Sequence, residues 1–157
     1  MSKWFTAVTV LWLMAPGTSR AAEYRVEALK GAPAAGDLSA DIVGQLSPGG
    51  FKVLEGEKRT VAEVWLAKEW AVKAGFQPSD TVLFPLEIGT LVGALRFPRG
   101  GSDFRGQEIP AGVYTLRYAN QPVDGNHVGT FETRDFLVMM PASADQSAGP
   151  IAEEDLF

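Results

Sequence analysis

Apolar and polar residues alternate in short runs along most of this chain, and Gly, Pro, Asn and Asp punctuate the runs. A period of two over four to eight residues is the signature of a half-buried β-strand. Residues 24–29 alternate in this way and predict a first strand. Residues 51–54 predict a second, followed by the turn-like Glu55-Gly56-Glu57-Lys58. Residues 91–97 form another run, closed by Pro98-Arg99-Gly100-Gly101. The clearest is 109–118, where Pro110-Ala111-Gly112 turns into a run with Val113, Thr115 and Arg117 on one face. Tyr114, Leu116 and Tyr118 take the other. Residues 134–140 predict the last strand, which Pro141 ends. Residues 81–84 are apolar, and Pro85 restricts them to a sheet edge or a strand end.

Two stretches depart from a period of two. Residues 37–46 place Leu38, Ile42 and either Val43 or Leu46 on one helical face. Asp37 or Ser39 supplies the N-cap, and Ser47-Pro48-Gly49-Gly50 the stop. Residues 60–74 admit both readings. As a helix they begin with a capping box, Thr60 and Glu63, and stop at Gly75. Their apolar residues, however, would spread around the whole helix, which suits a surface helix badly. As a strand, 60–68 pairs with 51–54 across a polar turn, and this reading is preferred. Six or seven short strands with brief turns predict an antiparallel β-sandwich, Ig-like or jelly-roll-like, with one short helix.

The ends of the chain belong to neither pattern. Lys3, an uncharged run over 4–14 and the small residues of 15–21 follow the order of a secretory signal peptide cut before Ala22. The run is well short of the ~20 residues that cross a bilayer, so no membrane span is expected after cleavage. The expected organisation is a signal peptide at 1–21, a β-sandwich domain at 22–141, and a linker and possible start of a C-terminal helix at 142–157. Residues 142–150 read as a flexible linker by composition. The pair Leu156-Phe157 at the end raises the expectation of a longer protein. Localisation is therefore expected to be periplasmic or extracellular.

Charge and cysteine usage narrow the function classes. The formal net charge is −5, and the leader's Lys3 and Arg20 make the remainder more acidic still. Such a domain has no long-range attraction for nucleic acid. The chain has no cysteine. Disulfides and thiolate metal sites are thereby excluded, and stability must come from apolar burial.

The candidate chemistry lies in two polar loops flanking 109–118. The first carries Asp103, Arg105 and Glu108, and the second Asp124, Asn126 and the chain's single histidine, His127. Asp103 and Glu108 can form an acid and base pair. His127 with Asp124 and Asn126 offers imidazole, carboxylate and amide oxygens of the sort metals use. A catalytic zinc generally takes three protein ligands, and Asp124-Gly125-Asn126 also reads as a tight turn, so no metal is assigned. There is no phosphate loop, dinucleotide fingerprint, His-Glu-x-x-His or nucleophile elbow, and no cofactor is expected. Arg96, Arg105, Arg117 and Arg134 are near enough in the chain to neutralise those acids. Trp65, Trp70, Tyr114 and Tyr118 are candidates for a sugar-stacking platform, although aromatics at strand spacing more often pack in a core.

Residues 63–68, 103–106, 109–118 and 124–127, taken together, resemble a group of uncharacterised exported proteins of planctomycete-type bacteria. The Pro-Ala-Gly-x-Tyr-Thr-Leu portion is similar to secreted β-sandwich domains more widely. The resemblance covers roughly 50–141, favours strands around Trp65, and brings no assigned activity and no catalytic residue. The expectation is an exported, non-catalytic binding or accessory module for a protein or carbohydrate ligand. The alternatives are a small hydrolase or metal-dependent enzyme using His127 with nearby carboxylates, and an assembly domain of a larger exported complex.

Overall fold

The computed structural model describes residues 23–103, 105–123 and 132–156. The alternating runs become β1 (Tyr24–Lys30), β2 (Gly49–Glu55), β3 (Arg59–Leu66), β4 (Leu91–Phe97), the two-residue strands β5 (Gly101–Ser102) and β6 (Glu108–Ile109), β7 (Gly112–Asn120) and β8 (Asp135–Pro141). Between β1 and β2 lies the helix α1 (Ala40–Gln45). The fold is mainly antiparallel β and sandwich-like, with the strands divided unevenly. Six form one sheet in the order β1-β2-β3-β4-β7-β8, and β5 and β6 form a small second sheet. Every neighbouring pair is antiparallel. The large sheet is thus a meander, interrupted once where the β5–β6 ribbon is inserted between β4 and β7.

The ambiguous stretch after Thr60 is strand, as β-branched and aromatic residues with a hairpin partner favour. Along it Ala62 and Trp65 are buried, Thr60, Val61, Glu63 and Val64 are half-buried, and the two ends are exposed. One face of the large sheet carries the core. Trp65 and Ala94 there meet Leu38, Ile42 and Leu46 from α1 and its flanks, together with Leu91 and Ala142. The cap of α1 is Ser39, whose Oγ accepts the N–H of Ile42 at 3.3 Å. Trp65 satisfies its indole N–H on the carbonyl of Gly31 at 2.9 Å.

Two expectations are corrected. Residues 81–84 form no strand: Val82 gives its carbonyl to the N–H of Ser79, and Leu83 gives its N–H to the carboxylate of Asp135. With Pro85 unable to donate, no ladder is left for them to join. The stretch read as a linker, from Ala142 onward, is held against the sheet. Ala142, Asp145 and Leu156 are buried, and Glu153–Asp155 is a single 3₁₀ turn.

What holds that stretch is a buried ion pair. Arg117 points from β7 to the core side and is wholly inaccessible, as is the Asp145 carboxylate to within a per cent. Arg117 Nε donates to Asp145 Oδ2 and Nη2 to Oδ1, each at 2.8 Å. Nη1 donates to the carbonyls of Gly89 at 3.0 Å and Gly149 at 2.7 Å, and Nη2 also donates to that of Ser147. All five guanidinium N–H groups are thereby used. Thr115 Oγ1 donates to the same carboxylate.

Candidate functional site

At the end of β7 and the start of β8, the segment between β3 and β4 folds over the sheet. Ala67 donates its N–H to Val92 and Lys73 to Pro85, and Val72 and Leu86 form a single bridge. The space left beneath is a cleft of about 270 Å³. Its walls are Trp70, Phe84, Leu86 and Val92 from the covering segment and β4, with Phe136 and Leu137 from β8. Tyr118 and Asp135 provide its polar groups. The volume lies just below that of ligand pockets, which run from roughly 300 to 1,000 Å³ and are mostly apolar with a few placed polar groups.

Asp135 organises this site. Its Oδ1 accepts the Tyr118 hydroxyl and its Oδ2 the N–H of Leu83 at 2.8 Å. One carboxylate therefore ties the covering segment to the sheet and fixes the phenol. Asn120 Nδ2 donates to the phenol oxygen at 3.0 Å. Burial first, and then the hydrogen bond to Asp135, push the Tyr118 phenol up to about 12, while the Asn120 amide works the other way. The phenol is accordingly neutral at any physiological pH. Trp70 anchors its indole N–H on the carbonyl of Val92 at 3.2 Å, leaving the ring half exposed at the cleft mouth.

The six residues singled out in the two loops fare differently. Asp103 spends its carboxylate on its own turn, where Oδ1 accepts the N–H groups of Arg105 and Gln107 at 2.8 Å each. It shapes the β5–β6 ribbon, in which Glu108 is exposed and lies opposite Ser102. Arg105 is exposed in the same turn. Asp124, Asn126 and His127 lie outside the described residues. Three of the four arginines placed near the acids have other occupations. Arg117 holds Asp145, Arg96 pairs with Glu63 at 3.0 Å, and Arg134 donates to the carbonyl of Gln121 at 2.8 Å.

Of the four candidate platform aromatics, Trp65 is core and Tyr114 packs edge-on against Phe97 at 6.1 Å. Only Trp70 and Tyr118 reach the cleft. Sequence reasoning missed Phe84, Phe136 and Leu137, and weighed Asp135 only as a possible acid beside His127. The available signal was the acid at the head of an apolar strand, facing an apolar run that Pro85 breaks.

A larger depression of about 590 Å³ lies near Asp37, Phe97, Gly112 and Ser143. Two polar side chains on its wall are committed elsewhere, Arg96 to Glu63 and the Tyr114 hydroxyl to the carbonyl of Pro110 at 2.8 Å. The smaller cleft has the more apolar and aromatic wall, and on that ground it is the better candidate for an apolar ligand group. Among the described residues, no group of three or more His, Cys, Asp or Glu is placed to hold a metal ion, and no helix is long and apolar enough to cross a membrane. Comparison with protein-family models, curated proteins and solved structures returns no match.

Proposed function

We propose that this chain is an exported, non-catalytic binding module whose ligand inserts an apolar group into the Trp70–Tyr118–Leu137 cleft. The observation that carries the reading is the composition of the cleft wall. Six apolar or aromatic side chains surround one tyrosine hydroxyl and one carboxylate, both already hydrogen-bonded within the protein. A sugar ring would bring several hydroxyls with few free partners, and each unpaired polar group costs on the order of 1–3 kcal/mol. An aromatic or branched aliphatic side chain of a protein partner fits without that penalty. Export is supported by the charged, apolar and small-residue order of the first 21 residues, and the exported group that the chain resembles agrees with it.

The test is selection of peptide ligands from a displayed random library, followed by titration monitored through tryptophan fluorescence. Selected peptides should carry one aromatic or branched residue that cannot be replaced by Ala. Binding should weaken at least tenfold for Trp70→Ala and Leu137→Glu, about 1.4 kcal/mol or more, in variants that melt like the parent. Peptides that bind both variants as well as the parent would place the ligand elsewhere. Hydrolysis of glycosides or esters that is lost in Glu108→Gln would overturn the non-catalytic reading.

A further inference from the structure

At the head of β1 the hydrophobic pattern leaves an aromatic ring without cover: Tyr24 is 61 % exposed. It stands opposite Glu55 at the end of β2, which in turn stands opposite Arg59 at the start of β3. The strand β5 reaches the same end of the sheet, where a Cβ on Gly101 would meet the Phe97 ring at 3.5 Å. Between them lies a pocket of about 320 Å³, a volume within the range of ligand pockets. Tyr24, Glu55, Arg59, Phe97, Arg99 and Ser102 contribute to its wall.

The polar groups of this wall are in a different condition from those of the Trp70 cleft. There the phenol and the carboxylate are both used within the protein, which disfavours a sugar. Here Arg59 pairs with Glu55, but Arg99 and the hydroxyls of Tyr24 and Ser102 have no hydrogen-bond or ion-pair partner among the described residues. Charge follows the same division. Arg59 and Arg99 against Glu55 leave one positive charge on the wall, in a chain whose formal net charge is −5.

We infer that this pocket binds one uronate unit of an acidic polysaccharide. The planar guanidinium of Arg99 matches a carboxylate in two parallel N–H···O bonds. The sugar ring lies against the Tyr24 ring, and its hydroxyls exchange hydrogen bonds with those of Ser102 and Tyr24.

The wall itself selects this occupant over others. One uncompensated positive charge matches a monoanion, whereas a phosphate group carries about −1.5 to −2 and would keep part of its charge unpaired. An acidic peptide brings carboxylates in series, and the wall has a single free cation to meet them. A neutral sugar uses the ring and the hydroxyls but draws nothing from Arg99. An apolar side chain would strip water from free polar groups and return no partner. The pocket shares no wall residue with the Trp70 cleft, so the two readings stand or fall separately.

Calorimetric titration of the full chain, as its host processes it, tests the inference. The ligands are oligomers of galacturonic, glucuronic and mannuronic acid, each compared with its methyl ester. At least one acid should bind, and at least ~10-fold more tightly than its ester, because the ester presents no charge to Arg99. Arg99→Gln should lower that acid's affinity to the level of its ester. Tyr24→Ala should weaken acid and ester together, and Trp70→Ala should change neither. Added salt should narrow the gap between acid and ester, as it screens an exposed charge pair. Arg99 and Tyr24 are exposed, so both variants should melt like the parent. Should either misfold, backbone amide resonances of the parent decide: those of Gly101 and Ser102 must move with the acid while that of Leu137 does not. A parent that binds none of the acids, or that binds acid and ester equally, would overturn the inference. So would inorganic phosphate or polyglutamate binding as tightly as the best acid, or acid binding that survives Arg99→Gln.

Discussion

Replacing Asp145 with Ala removes the one anion that faces a wholly buried guanidinium. Two Arg117 N–H groups, Nε–H and one on Nη2, lose their acceptors, and so does the Thr115 hydroxyl. Each buried donor left unsatisfied costs on the order of 1–3 kcal/mol, more for a charged one, though relaxation and water entry return part of it. Breaking one side of a buried pair costs about 3–5 kcal/mol in measured cases. Against a total stability of about 5–15 kcal/mol, that is a large fraction. For a chain of this size roughly 3–5 °C per kcal/mol applies, so the midpoint should fall by roughly 10–20 °C.

The assay is equilibrium urea unfolding with tryptophan fluorescence, alongside calorimetry, on the parent and Asp145→Ala. The double variant Arg117→Met/Asp145→Leu completes a cycle. Removing both charges relieves the unpaired cation, so the double variant should be more stable than Asp145→Ala alone. It should not regain parental stability, because the carbonyls of Gly89, Ser147 and Gly149 then lose their donors. Limited proteolysis should cut after Ala142 faster in Asp145→Ala than in the parent. A loss below about 1 kcal/mol, the size of an exposed ion pair, would refute the claim that this pair holds the C-terminal segment.

Two further predictions concern the same framework and the cleft. Gly89 has φ of 81°, and an added Cβ would sit 1.8 Å from the carbonyl oxygen of Ile151, whose N–H donates to Gly89 at 3.3 Å. Gly89→Ala should therefore cost about 2–4 kcal/mol in urea unfolding, whereas Gly106→Ala, with φ of 79° and open space around it, should cost only about 1–2 kcal/mol from the backbone alone. Tyr118 has its folded pKa raised to about 12 from 10.0, so its contribution is fully present below pH ~10 and is lost as pH rises toward ~12. The magnitude is about 2–3 kcal/mol, and Tyr118→Phe should flatten that part of the stability profile relative to the parent. Equal alkaline slopes in the two proteins would show that the phenol is not held as described.

Strands could be read from this chain wherever one face of a sheet is buried, because a period of two then survives in the residues. β7 is the best case, with Val113, Thr115 and Arg117 against Tyr114, Leu116 and Tyr118. Reading stopped where a residue's partner is far away in sequence. Arg117 is a charged residue at a core-facing position, which demands a buried acceptor set. Its acid, Asp145, lies in a stretch whose Ser, Ala and Gly content is typical of linkers. Composition describes how a segment behaves alone, and four hydrogen bonds from one guanidinium into that stretch override it. The cleft shows the same limit: Trp70, Phe84 and Asp135 meet only because the segment between β3 and β4 folds back, and Pro85 marked a break without saying where the chain went.

The two polar loops were candidates for chemistry, yet Asp103 spends its carboxylate within its own turn. An Asp whose oxygen accepts two backbone N–H groups within four residues makes its turn and has little left to offer a ligand. Polar residues in loops are thus weak pointers here, and apolar residues without cover are stronger ones. Burial of apolar area is the main stabilising term available to a chain without cysteine, and exposing Val26, Phe51 and Leu66 forgoes it. A cleft walled by Trp70 and Leu137 and a sheet face lined by Phe51 and Leu95 are costs to the isolated chain. The first becomes a gain once a ligand side chain fills it. Function in this protein is therefore to be sought where the hydrophobic pattern is left unfinished.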